Sequence, residues 1–305
     1  MYIYIFMLII TDKMIKELNI DNGLIISIIE ETIKNKNNFL LPPKTSIVLP
    51  NNGFYNTMPC IVDNYYSCKI VIRNTNQNPS ISGDIVLYNT NTSELLSIMD
   101  CRLITSLRTG AVALITMKYL ANKNFNDISL IGLGKSMNGF MKCYTNEYKN
   151  RKVNIHLFKY KDHCEKFINT FDNDNINWII HDDIKDLFEN ADIIISAVTS
   201  KNNVFIEDTT IYKKGVLIIP IHTLGFQNCD VIFEKVVVDD DKHVTRFKNY
   251  GKFKKYCELT DIINGESEGR TSDNERILAY NIGLGIHDNK LASLIYNKIK
   301  MNKSY

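Results

Sequence analysis

The sequence predicts an α/β protein in two parts: a doubly wound parallel sheet over 121–283, and an α+β unit over 1–120 onto which 284–305 pack back. Three observations carry this. From residue 128 onward, short apolar strands alternate strictly with helical segments, the pattern of a parallel sheet covered by helices on both faces. The first strand of that series runs into a Gly-x-Gly turn, Gly132-Leu133-Gly134, which opens a helix. Before residue 100 strands follow one another instead, and one pair is joined by Asn89-Thr90-Asn91-Thr92-Ser93, a hairpin-type turn cluster.

Taken in order, 11–34 reads as two short helical segments, because Leu24, Ile25, Ile28, Ile29 and Ile33 recur on one face at helical spacing. After Pro42-Pro43 the pattern turns to strands at 46–49, 66–73, 84–88 and 94–99. A helix fits 103–122, with Leu107, Ala111, Leu114, Ile115 and Leu120 as its apolar face. The alternating part has strands at 128–131, 153–158, 178–180, 192–197, 216–219 and 233–238. Between them lie an amphipathic helix carrying Met137, Phe140, Met141 and Tyr144, a helix at 161–170 and a helical turn at 184–189. A last helix presents Leu291, Leu294, Ile295 and Ile299 on one side.

Composition narrows the function classes. Thirty-six Lys and Arg face 34 Asp and Glu, so the formal charge is only +2, without the basic excess of a nucleic-acid binder. Seven cysteines, none in C-x-x-C spacing, point to reduced thiols in the cytoplasm and to no metal or redox site. The apolar start Met1 to Ile10 is too short to span a bilayer and lacks the basic flank of a signal peptide. A soluble protein without a membrane partner is expected, with the opening segment acting as a strand or as a few residues of mis-called start.

Two features carry chemistry. In Gly132-Leu133-Gly134-Lys135-Ser136-Met137 the first glycine permits the tight turn and the second lets a pyrophosphate approach the helix N-terminus, as in a Rossmann-type dinucleotide site. Met137 stands where that pattern has Gly or Ala. Phe158 replaces the acid that holds the NAD ribose, beside Lys159 and Lys161, which allows either NAD or NADP and favours NADP. Second, Lys69 interrupts the apolar run Cys68 to Ile72, and Arg108 lies near the start of a helix. A guanidinium suits a carboxylate, although by themselves both cations fit structural ion pairs best.

The sequence resembles the ornithine cyclodeaminase and mu-crystallin family over essentially its full length. The matching features are Met58-Pro59, Lys69, Gly83 to Tyr88, Leu107-Arg108-Thr109-Gly110-Ala111 through to Ala121, Ile131 to Gly134, Ser196-Ala197-Val198-Thr199, Gly269-Arg270 and Gly283 to Asp288. The resemblance implies a Rossmann-type domain with a substrate-binding and dimerisation domain, and a homodimer. It also implies hydride transfer at the Cα–N bond of a small amino acid or imine, as in cyclodeaminases, amino-acid dehydrogenases and ketimine reductases. It assigns Lys69 and Arg108 to the substrate carboxylate, with Lys44 where the family often has arginine. Thr109, Gly132, Gly134, Lys135, Ser136, Lys159, Ala197, Val198 and Thr199 are expected to bind the cofactor, and Lys69 is expected among the catalytic residues.

The chain also departs from the family. No carboxylate occurs in 51–59, and the aspartate that cyclodeaminases carry after the fifth Rossmann strand is missing from Pro220 to Asp230. His222 and Asp230 are the candidates to replace it, His222 being nearer the strand end and able to exchange a proton near neutral pH. The alternative from another class is a non-catalytic NADP(H)-binding protein of mu-crystallin type.

Overall fold

The computed structural model describes residues 7–51, 53–77, 80–198, 205–221 and 225–303. The chain divides into two compact units: unit 1 takes the chain as far as Arg108 and resumes at Leu284, and unit 2 spans Thr109–Gly283. The division falls inside a helix, ahead of the boundary at 120 that the strand pattern suggests.

Unit 1 opens with β1 (Leu8–Ile10), α1 (Asp12–Glu17) and α2 (Asn22–Lys34). Both helices begin at side-chain caps, the Thr11 hydroxyl accepting from the Met14 N–H and the Asp21 carboxylate from the Leu24 N–H at 2.9 Å. The buried stripe of α2 is Ile25, Ile26, Ile29, Thr32 and Ile33, so Leu24, expected inside, lies at its exposed edge. Five strands follow, β2 (Thr45–Val48), β3 (Phe54–Val62), β4 (Tyr65–Arg73), β5 (Ile81–Asn89) and β6 (Leu95–Asp100), and then α3 (Arg102–Leu120). The sheet order is β1-β6-β5-β4-β3-β2, antiparallel except that β1 runs parallel to β6.

β3 was not foreseen, because its nine residues contain Asn56, Thr57 and Pro59. The proline is tolerated because β2 pairs with β3 only from Phe54 to Thr57, so Pro59 lies where β3 has β4 on one side and the end of β2 on the other. One register row, Met58, Lys69, Ile85, Met99 and Ile10, is buried across five strands. The alternate row, Pro59, Cys68, Val86, Ile98 and Ile9, is only partly buried, and Ile9, Tyr55 and Ile70 on that face are exposed.

Unit 2 contains β7 (Asp127–Ile131), α4 (Lys135–Glu147), β8 (Val153–Phe158), α5 (His163–Phe171), β9 (Ile176–His181), α6 (Asp186–Glu189), β10 (Ile193–Ser196) and β11 (Leu217–Pro220). It continues with β12 (Lys235–Val238), α7 (Asp241–Val244), β13 (Tyr256–Glu258), α8 (Leu259–Ile263) and β14 (Ile277–Tyr280), after which α9 (Gly285–Lys303) belongs to unit 1. The eight strands are all parallel in the order β13-β12-β14-β11-β10-β7-β8-β9. The order reverses between β7 and β10, the switch point at which doubly wound sheets bind ligands beyond the strand ends. β10, β11, β12 and β14 are buried at every position, as expected for strands covered on both faces. β14, unforeseen, inserts between β11 and β12. No described helix is long and apolar enough to cross a membrane.

Candidate functional site

In unit 2 the Gly-x-Gly turn follows β7 directly. Gly132 has φ +86°, and a Cβ there would lie 2.7 Å from Val198 Cγ1 and 3.0 Å from the Ala197 carbonyl carbon. The turn is therefore tightened against the residues that follow β10, where any side chain would collide. Gly134 is the opposite case. It is the N-cap of α4 without a side-chain cap bond, and a Cβ built on it meets nothing within 4 Å. Open space thus lies before the uncapped end of a 13-residue helix, whose first N–H groups and dipole favour an anion. Met137 is completely buried in the apolar face of α4, so the third position serves the core. Lys135 is exposed and Ser136 partly buried beside the turn.

At the end of β8, Lys159 Nζ lies 3.1 Å from Asp182 Oδ1, both side chains being exposed. Lys161 has φ +51° and sits over the Tyr160 ring. Asp182, which follows β9, escaped the sequence reading because β8 and β9 are neighbours only in the sheet. Thr199 and His222 lie outside the described residues.

Asp230 begins a 3₁₀ turn in unit 2 and is fully buried among Phe226, Cys229, Phe233 and Tyr280. Its Oδ1 accepts from Asn249 Nδ2 at 2.6 Å and its Oδ2 from the Tyr280 hydroxyl at 3.0 Å. Burial pushes its carboxyl up in spite of these two donors. The side chain faces the core of its own unit.

In unit 1, Lys69 stands mid-strand in β4 in the buried row, and its Nζ is 2.7 Å from Asp288 Oδ2. Arg108 donates through Nε to Asp288 Oδ1 at 3.2 Å. All three side chains are more than nine-tenths buried. Asp288 lies in the first turn of α9, which Asn289 secures by donating to the Tyr65 carbonyl and to Ser67 Oγ at 2.9 Å. Lys44 precedes the edge strand β2 and is partly buried.

The electrostatics of this cluster have one cause: two cations share one carboxylate. Burial would push the Asp288 carboxyl up, but Arg108 and then Lys69 outweigh it and hold it below its ordinary value. For Lys69, burial and Arg108 outweigh Asp288, so its ammonium is depressed. The neighbouring His287, also completely buried, is driven down to about 3 by burial and then by Arg108, and is therefore neutral. Lys69, Arg108 and Asp288 together carry an excess of one positive charge, which a carboxylate would balance. Neither Asp288 nor His287 had been given a role from the sequence. The signal that could have found them was the segment Gly283 to Asp288, which is among the features shared with the family.

The sequence model of the ornithine cyclodeaminase/mu-crystallin family matches residues 7–303. The chain belongs to that family. A relative, the N-((2S)-2-amino-2-carboxyethyl)-L-glutamate dehydrogenase of Staphylococcus aureus, is 28% identical over 233 residues, 71% of this chain and 68% of its own. Two solved structures share the fold at 22% identity. Thermococcus litoralis Delta(1)-pyrroline-2-carboxylate reductase, in complex with NADH and L-proline, matches with a TM-score of 0.85 over 97% of this chain and 98% of that one. An archaeal alanine dehydrogenase dimer with bound NAD matches with a TM-score of 0.84 over 97% of each.

Gly134→Val is expected to abolish NAD(P)H binding in a fluorescence titration while leaving Tm within a few degrees of the parent. The branched side chain starts from a Cβ that meets no heavy atom within 4 Å, so it fills space that the pyrophosphate would need. Asp288→Asn is expected to cost about 3–5 kcal/mol, because it leaves two buried cations without their counter-charge. In the parent, this depressed carboxyl contributes stability fully above the unfolded value of about pH 4 and loses it as the pH falls further. Thermal melts of the two proteins at neutral and acid pH check both statements.

Proposed function

We propose that the chain is an NAD(P)-dependent oxidoreductase acting at the Cα–N bond of a small amino acid or the corresponding imine. The observation that carries this reading is the buried Lys69–Asp288–Arg108 cluster, short of one negative charge. A charge deficit of that kind, enclosed where water does not screen it, suits an amino-acid carboxylate. Membership of a family whose relatives include amino-acid dehydrogenases and an imine reductase supports it further.

A nicotinamide dinucleotide fits the turn after β7. The space before Gly134 and the uncapped start of α4 take a pyrophosphate, with Gly132, Lys135 and Ser136 around it and Ala197, Val198, Thr199 and Thr109 completing the set. When bound, the cofactor supplies or accepts the hydride. NADP is the preferred form, since Phe158 offers no acceptor to a ribose hydroxyl and Lys159 and Lys161 supply cations. Asp182 has to yield Lys159 to the phosphate.

Lys69 and Arg108 hold the substrate carboxylate and orient Cα, with Lys44 as a further cation. His222 exchanges the proton on the substrate nitrogen, while Asp230, tied to Asn249 and Tyr280, anchors the segment behind it. The half-exposed apolar face of the six-stranded sheet suits a homodimer, the state of the archaeal alanine dehydrogenase. Seven free thiols suit the reducing cytoplasm.

The purified protein, mixed with NAD or NADP and a panel of amino acids and cyclic imines, is expected to change the absorbance of the reduced cofactor. Release of ammonia distinguishes cyclodeamination from simple dehydrogenation. Arg108→Lys should lose about 2–5 kcal/mol in kcat/KM, the scale for disrupting a buried charge-assisted contact, with nucleotide affinity unchanged. His222→Ala should lower kcat by roughly 10²-fold, and a fully active variant would remove His222 from the mechanism. Binding of NADP(H) with no turnover of any panel member would leave only a nucleotide-binding role.

A further inference from the structure

The first turn of α9 holds a second group beside Asp288. His287 has no solvent exposure, and neither ring nitrogen has a hydrogen-bond partner among the described residues. Buried polar atoms in native proteins nearly always have one, so a fully enclosed imidazole with both nitrogens unmet marks a place where a partner arrives. The turn that carries the ring is held in place. Asn289 ties the turn to Tyr65 and Ser67, and at Gly285 a Cβ would stand only 3.0 Å from the Met58 carbonyl oxygen, so α9 is seated hard against β3.

The charges around His287 decide what kind of partner it takes. Arg108, Lys69 and Lys36 act on it from α3, β4 and the segment after α2, opposed by Asp288 on its own helix. Burial and these cations keep the ring neutral, and a neutral imidazole offers one N–H donor and one lone pair. The carboxylate of a substrate takes the two cations. The imidazole is then left for the next group along the substrate, and it matches one that can both donate and accept, or one that accepts only.

We infer that His287 is a substrate-contacting, specificity-determining residue, which selects 2-amino or 2-imino acids with a hydrogen-bonding side chain over those with a bare alkyl one. This rests on the proposal that Lys69 and Arg108 bind the substrate carboxylate. It adds the reason for discrimination: an alkyl side chain leaves both buried nitrogens unmet, whereas a hydroxyl, amide or carboxylate satisfies one.

Near-isosteric pairs test it, L-serine against L-2-aminobutyrate and L-asparagine against L-leucine. Their binding is measured by calorimetry on the cofactor-saturated protein and their turnover by kcat/KM. The parent is expected to favour the polar member at least tenfold in binding. His287→Leu should lower that ratio at least tenfold with an unchanged or higher Tm, since it removes a buried unpaired polar group, and His287→Gln should restore part of it. A ratio within twofold of the parent in His287→Leu, or a parent that binds both members equally, overturns the inference. Selective binding without turnover would sustain this inference and defeat the proposed reaction. Turnover without selectivity would do the reverse, and absence of any binding would defeat both.

Discussion

A lysine in the middle of an apolar strand is the constraint around which unit 1 is arranged. Lys69 occupies a position that Met58, Ile85, Met99 and Ile10 fill with hydrocarbon in the same row, and an ammonium there is tolerated only with a counter-charge at hydrogen-bonding distance. Asp288 supplies it at 2.7 Å. Asp288 cannot serve Lys69 alone, however, because Arg108 claims its other oxygen. The result is a buried cluster that is paired but not neutral. For stability, a core of hydrocarbon would do at least as well. An unbalanced charge retained in so dry a place makes sense as the half of an interaction whose other half is a ligand.

Much of unit 1 can be seen as the means of holding that cluster still. The chain leaves the sheet through α3, which carries Arg108, and returns at Leu284 to lay α9 on the covered face. The first turn of α9 is then pinned by Asn289 to β4 and seated by Gly285 on β3. Positions fixed in this way give charged groups a geometry that needs no rearrangement when a ligand arrives. His287 shares the same rigid turn, and its unmet nitrogens follow from it.

Unit 2 solves a different problem with less chemistry. The turn after β7 is crowded at Gly132 and empty at Gly134, two residues apart. Crowding draws the loop against Ala197 and Val198, and emptiness leaves the start of α4 accessible, so shape and helix dipole together favour an anion there without a charged side chain. Asp230 illustrates the contrast: it is a carboxylate close in sequence to the end of β11, yet Tyr280 and Asn249 hold it inside the core.

From its residues alone the chain determined the parallel sheet, the Gly-x-Gly turn, the hairpin and the two cations that do not belong where they stand. These depend on periodicities of two and 3.6 residues and on local turn chemistry, which a linear reading captures. What it could not determine was pairing over distance. Arg108 and Asp288 are 180 positions apart, and nothing in either neighbourhood names the other. β3 escaped notice because Pro59 is admissible only given where β2 ends, and β14 because it enters the sheet between strands that precede it. Lys159 read as a free cation until β9 brought Asp182 beside it. Each of these depends on which segments become neighbours, and that is decided by the burial of whole faces and the matching of charges across them, properties that no short stretch of sequence possesses.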